Sequence, residues 1–194
     1  MSGARPSRSN KNVKRKTPRD RGAARREKAT ARQAPNHQTS TPSRDAAHAW
    51  RQGISATTAT TVDHLTTHMQ RVVLDQLEQH RGFPPFVITT NRDGDYDLES
   101  LPPDQIVTMT PEDVLDTLRE QVKGTATQLL GAVLAFPATL PDRSAAAAVV
   151  AEIEHIDGVQ LTVIQPYRIK GVHGAKKTYL EDAIVERRDT TTLL

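Results

Sequence analysis

Two histidines four residues apart are the first residues in this sequence whose spacing could support metal chemistry. His64 and His68 lie in a run of helical periodicity, so both imidazoles would point to the same side of a helix. Two imidazoles at this spacing can bind zinc, but metalloprotease helices also carry a glutamate directly after the first histidine. Because that glutamate is absent and no third ligand is evident from the sequence, we interpret the pair as solvent-facing residues and expect no metal.

A second candidate is a row of alternating carboxylates. Asp93, Asp95, Asp97 and Glu99 could place several oxygen ligands on one side of a strand, where a hard cation could bind. The order differs from a calcium loop, because Gly94 comes too early and no glutamate closes a loop of the right length. The run is typical of a hairpin turn, and we expect no cofactor here either.

A cluster of basic residues lies late in the chain, between Tyr167 and Tyr179. It consists of Arg168, Lys170, Lys176 and Lys177, with His173 and two glycines among them. A positively charged segment of this kind could contact phosphate groups or an acidic partner. An ordinary solvated loop is the alternative, and the residues alone leave both open.

The strongest charge feature is the N-terminal segment, residues 1–44. It carries 13 Lys and Arg residues against Asp20 and Glu27, a formal charge of +11, whereas the remaining residues carry 13 basic and 21 acidic residues, a charge of −8. With no aromatic residue and few aliphatic ones, the segment cannot bury enough apolar area to fold, so we expect a disordered tail. Its densest patches contain Lys14, Arg15, Lys16, Arg25 and Arg26. These would contact nucleic acid or another polyanion without sequence specificity, or would only keep the chain soluble.

Composition excludes several classes of protein. The chain has no cysteine, which removes disulfides, iron–sulfur clusters and thiol nucleophiles. No apolar run approaches the roughly 20 residues of a transmembrane helix, and no secretory signal is evident, so we expect a cytoplasmic protein without membrane contact. An Arg-rich organelle transit peptide is the alternative. No nucleophile, phosphate-loop or dinucleotide motif is present, although a catalytic site built from scattered residues stays open, for example from His155, Tyr167, Arg168 and His173.

Two helices would position these residues. The first, near Val62–Arg81, has apolar residues at helical spacing, preceded by a run of Ala and Thr that is either a weak helix start or a flexible joint. The second follows Thr110, with Pro111 at its first position and acidic residues in its first turn, and ends at Lys123–Gly124. Between them, Phe86–Thr90 and Tyr96–Leu101 are predicted to form a hairpin.

The last third of the chain has the alternating pattern of strands. Four are predicted, at 129–136, 147–155, 159–167 and 178–188. A three-residue loop ending at Gly158 would pair Ile153 with Leu161 and place apolar residues on one face, whereas a two-residue turn would mix polar and apolar side chains. We therefore expect the three-residue loop, with Glu152 and Glu154 on the solvated face.

The sequence thus predicts a disordered basic tail, residues 1–44, followed by one acidic α+β domain, residues 45–194. In that domain two helices would pack on one face of a mainly antiparallel sheet of about five to six strands, in the order α-ββ-α-ββββ. The absence of a catalytic signature favours a non-catalytic interaction protein, whose domain docks a protein partner while the tail contacts nucleic acid. The alternative is a small metal-dependent or hydrolytic enzyme.

Overall fold

A computed structural model describes residues 49–141, 146–171 and 177–194 of the 194-residue chain. Within these residues the helices are α1 (Ala56–His80), α2 (Pro103–Ile106) and α3 (Pro111–Thr125), with 3₁₀ turns at Ala49–Arg51 and Ala126–Gln128. The strands are β1 (Phe86–Asn91), β2 (Tyr96–Ser100), β3 (Leu129–Leu140), β4 (Ala146–His155), β5 (Val159–Lys170), β6 (Lys177–Leu180) and β7 (Ile184–Arg187). The predicted tail and its boundary at residue 44 lie outside the described residues and stay predictions.

The strands form one sheet in the order β2-β1-β3-β4-β5-β6, and β7 also pairs with β5. Every pairing among the described strands is antiparallel. The α+β class and the antiparallel sheet are therefore confirmed. The sheet has seven strands because the last predicted strand, 178–188, is divided into β6 and β7.

The two long helices begin where their capping residues indicate. Ser55 caps α1, since its hydroxyl oxygen accepts a hydrogen bond from the Thr58 backbone N–H at 3.1 Å, so the Ala- and Thr-rich run is helical. Thr110 caps α3 in a reciprocal capping box with Asp113, and Pro111 occupies the first turn as predicted. The one-turn helix α2 was not predicted.

The central strands of the sheet are covered on both faces. On one face α1 packs its buried stripe against alternate residues of the central strands, including Ile88, Val133 and Ile153. On the other face α3 packs against the intervening residues, including Val87, Ala132 and Leu134. Because side chains alternate along a strand, these two clusters lie on opposite sides of the sheet.

The expectation that both helices share one face is therefore wrong. It was drawn from the alternation in β4 and β5, whereas β1 and β3 carry apolar residues at consecutive positions. Phe86, Val87 and Ile88 are all buried, as are Ala132, Val133 and Leu134. Such continuous burial is typical of strands covered on both faces.

The hairpin between β4 and β5 has the predicted register. Ile153 pairs with Leu161 and Ala151 with Val163, and the loop runs from Ile156 to Gly158, where φ is 81°. The three-residue loop is confirmed. Its second face is not solvated, however, because α3 and the segment 188–194 cover Glu152 and Glu154.

Arg81 ends α1 in the left-handed conformation, with φ of 63° and ψ of 13°. A residue with a Cβ atom pays about 1 kcal/mol for this conformation, which glycine adopts without cost. We expect Arg81→Gly to raise the free energy of unfolding by about 0.5–1 kcal/mol, measured by urea denaturation. Arg71→Gly is the matched control, because Arg71 is exposed inside α1 without a positive φ, so the same change there should lower the free energy of unfolding by about 1 kcal/mol. A lower free energy of unfolding for Arg81→Gly would contradict the left-handed conformation assigned to Arg81.

Candidate functional site

The strands β5 and β6 place basic side chains side by side at the end of the sheet. Arg168 pairs with Tyr179 and Lys170 with Lys177, so these four residues lie on one face of the two strands. All four are exposed. We call Arg168, Lys170, Lys177 and Tyr179 the cationic strand pair.

Tyr179 supplies the aromatic ring of this surface, opposite Arg168 and beside the paired lysines. The Nζ atoms of Lys170 and Lys177 are 5.7 and 5.8 Å from the centroid of its ring, within the range of a cation–π contact. The ring is 47% exposed. A half-exposed aromatic ring beside two ammonium groups combines a stacking surface with positive charge, which is the combination that single-stranded nucleic acid recognises.

Lys170 and Lys177 are direct cross-strand neighbours, and like charges in this position destabilise a sheet. The nearby Arg168 forms an ion pair with Glu181, which offsets one positive charge at the other end of the surface. Among the described residues no ion pair engages either lysine. A bound anion between the two ammonium groups would relieve their repulsion.

The other predicted contact residues cannot be placed. Lys14, Arg15, Lys16, Arg25, Arg26 and Lys176 lie outside the described residues, as does His173, and their roles stay predictions. Of the predicted cluster, the structure brings together Arg168, Lys170 and Lys177 and adds Tyr179, which the sequence did not single out. The signal for Tyr179 was available, because a two-residue alternation from Lys177 places it on the same face.

The histidine pair on α1 has a different environment from a metal site. Both rings are exposed, and the His68 ring stacks on Tyr96 of β2 with a centroid separation of 4.3 Å. No group of three or more metal-ligating side chains occurs within the described ranges. His68 therefore contributes a packing contact between α1 and β2.

The acidic row follows the turn between β1 and β2. The Asn91 side-chain oxygen accepts hydrogen bonds from the backbone N–H groups of Asp93 and Asp95, at 2.9 and 3.0 Å. Gly94 adopts a φ of 87°. These are the features of an Asx-stabilised hairpin turn, which supports the turn interpretation of this run.

The most extensive polar cluster was not predicted at all. Glu154 of β4 is only 1% exposed, yet its carboxylate accepts five hydrogen bonds. The donors are Arg188 Nη2 at 2.8 Å, the Thr192 hydroxyl, and the backbone N–H groups of Thr192, Leu193 and Leu194. The charge is thus fully compensated, and the cluster serves to hold the segment 188–194 on the sheet.

Glu152 extends the cluster toward α3. Arg119 contacts both of its carboxylate oxygens, through Nη2 at 2.9 Å and Nε at 3.3 Å. Burial lowers the pKa of the Arg119 guanidinium, but hydrogen bonds and charges from Glu152 and Asp116 outweigh it, so the net pKa is raised. Arg119 is therefore charged at every accessible pH and ties α3 to β4.

A hydroxyl, a carboxylate and an imidazole meet where α1 begins, close to the β4–β5 turn. The Thr58 hydroxyl donates to Asp157 Oδ2 at 2.5 Å, and Asp157 Oδ2 lies 3.6 Å from Nδ1 of His155. A nucleophilic triad requires the hydroxyl to contact the imidazole, whereas here it contacts the carboxylate. The arrangement ties the turn to α1 and does not form an activated nucleophile.

Burial sets the charge of His155. Desolvation lowers the pKa of its imidazole, and the nearby Asp157 carboxylate raises it by less, so the net pKa is below the ordinary value. Nδ1 accepts the Asp157 backbone N–H at 3.1 Å, an acceptor role that only the neutral ring can fill. Burial similarly raises the pKa of Tyr167, which stays protonated near neutral pH.

The unfolded chain binds a proton at residue 155 more readily than the folded protein does. Stability from the neutral ring is therefore complete above about pH 6.5 and is lost as the pH falls toward the folded-state pKa. We expect the wild-type protein to lose stability relative to His155→Asn between pH 8 and pH 5, by at most about 1.4 kcal/mol per pH unit. Asparagine keeps an acceptor near the Nδ1 position without a titratable group. Urea denaturation across this pH range tests the sign of the change in stability. If the wild-type protein gains stability relative to His155→Asn on acidification, the Asp157 charge outweighs desolvation in setting the pKa of His155.

Comparison with known proteins adds no assignment, since no protein-family model, curated protein or solved structure matches this chain. No helix of the described ranges is long and apolar enough to cross a membrane. The functional argument therefore depends on the chain's own residues.

Proposed function

We propose that this is a non-catalytic interaction protein. Its folded domain docks a protein partner, and its basic residues contact nucleic acid or another polyanion without sequence specificity. The observation that carries the proposal is the cationic strand pair, in which two paired lysines lie beside an exposed tyrosine ring. A location in the cytoplasm is part of the same proposal.

The charge distribution supports the proposal that the basic residues, and not the rest of the domain surface, contact the polyanion. The domain is acidic as a whole, so a polyanion would be repelled by most of its surface and attracted to the few basic regions. Lys170 and Lys177 form one such basic region in the described part of the chain, and the basic residues 1–44 would add affinity by counterion release. Contacts to phosphate position a nucleic acid but do not read its sequence, which is why no sequence specificity is proposed.

The environments of the candidate catalytic groups favour binding over catalysis. The Thr58 hydroxyl contacts a carboxylate, and Glu152 and Glu154 are compensated by guanidinium and backbone N–H groups. Each of these side chains has a structural partner that accounts for its position. None is aimed, unpartnered, at a cavity in the manner of a poised acid or base.

The test is the salt dependence of binding to a fluorescently labelled single-stranded oligonucleotide, measured by anisotropy with the full chain. Each phosphate contact to single strands contributes about 0.7 to the slope of log affinity against log salt. We expect Lys170→Gln with Lys177→Gln to reduce the slope by about 1.4 and to lower affinity at low salt.

The matched control is Arg71→Gln with Lys123→Gln, which removes the same charge from the exposed faces of α1 and α3. Retention of wild-type affinity by the control and its loss in the strand-pair variant would support a local surface. If both double variants weaken binding equally, only net charge matters and the strand pair is not the site.

A further inference from the structure

An apolar pocket opens between α2, the start of α3 and the end of β3. Its volume is about 300 Å³, and all of its lining residues are apolar, among them Ile106, Met109, Leu115 and Phe136. Three prolines complete the wall. A volume of this size is at the lower end for small-molecule sites and suits one or two apolar side chains.

The rim of the pocket also exposes apolar surface. Val107 lies between the lining residues Ile106 and Met109 and is 84% exposed. Exposed apolar side chains beside a concave apolar site are a feature of docking surfaces, because a partner can bury the rim and fill the pocket together.

The chain around the pocket carries charge of one sign. Residues 103–118, which supply α2 and the first half of α3, contain four Asp and Glu residues and no Lys, Arg or His. Asp113 is engaged in the α3 capping box and Asp116 pairs with Arg119. No ion pair of the described residues engages Asp104 or Glu112, which are both exposed. Glu112 directly follows the lining residue Pro111, and Asp104 lies two residues before the lining residue Ile106.

We infer that this pocket binds a peptide segment of a partner protein that carries a large apolar side chain flanked by lysine or arginine. The apolar wall selects the anchor, and the carboxylates on α2 and α3 select the flanking charge. The α2–α3 surfaces of two copies would repel each other, and the basic residues 1–44 contain no apolar residue larger than Val13 apart from Met1, so that segment offers no large apolar anchor. The inference rests on the proposed protein-docking function and names its site and partner chemistry.

The experiment is selection of random dodecapeptides from a displayed library on the immobilised full chain. We expect enriched peptides to share an apolar anchor and an excess of Lys and Arg near it. Enriched peptides with no excess of basic residues, or no enrichment at all, would overturn the inference.

Substitutions in the chain locate the binding site of the selected peptide, whose affinity for each variant is measured by fluorescence anisotropy. Leu115→Lys places a charge at the pocket and should weaken binding by about tenfold or more, whereas Thr117→Lys on the same helix is the matched control and should change it by less than about twofold. Equal weakening by both variants would overturn the assignment of the pocket.

A second pair of variants tests the carboxylates without disturbing the apolar wall. Asp104→Asn with Glu112→Gln should weaken the peptide about threefold to tenfold at low salt, and Asp75→Asn with Glu78→Gln on α1 serves as the charge-matched control. Because all four residues are exposed, these variants should remain folded, which circular dichroism checks. An unchanged affinity in the first pair would overturn the charge selection.

The same preparations are tested for oligonucleotide binding. If the wild-type chain binds no peptide but binds the oligonucleotide through Lys170 and Lys177, the pocket inference is refuted and the polyanion proposal stands. If replacing Lys170 and Lys177 leaves oligonucleotide binding unchanged, the proposed polyanion function is refuted, regardless of the result with peptides.

Discussion

The buried carboxylate of Glu154 is the constraint on which the second face of the sheet depends. A charge at this depth is tolerated only when it is fully hydrogen-bonded, and its donors come from Arg188 and from three successive backbone N–H groups of residues 192–194. The segment 188–194 must therefore lie against β4. Leu193, which is completely buried, is placed by the same contacts into the cluster below α3.

This constraint also determines which part of β5 pairs with β7 and which part pairs with β6. The segment held by Glu154 continues directly from β7, which pairs with β5 over residues 161–164. The far part of β5, residues 167–170, is then left to pair with β6. That arrangement aligns Lys170 with Lys177 and places Tyr179 beside them, opposite Arg168, so the proposed polyanion surface follows from the way in which the sheet is completed.

Local signals in the sequence predicted much of the architecture. The α3 cap depends on adjacent residues, and the β4–β5 register follows from which pairing places Ile153 opposite Leu161. The placement of α3 could not be predicted from the alternation in β4 alone, because Glu152 and Glu154 have the polarity of solvated residues. Their partners Arg119 and Arg188 are 33 and 34 residues away in sequence, and no local pattern indicates such pairs.

The candidate site was likewise predicted only in part by local sequence signals. Arg168, Lys170 and Lys177 were identified from composition, since they form a basic cluster in an acidic domain. Their alignment around Tyr179 required the β5–β6 register, and the apolar pocket required α2, whose short sequence has no strong helical pattern. Contacts between elements distant in sequence, rather than local preferences, create both surfaces.

The most direct measurement is photocrosslinking of the full chain to an oligonucleotide containing 5-bromouracil, followed by mass spectrometry of the crosslinked peptides. The account predicts adducts on Tyr179 or its neighbours within residues 167–180, at a yield that falls when Lys170 and Lys177 are replaced by glutamine. Adducts confined to residues 1–44, with none in residues 167–180, would contradict the claim that the folded domain contacts nucleic acid.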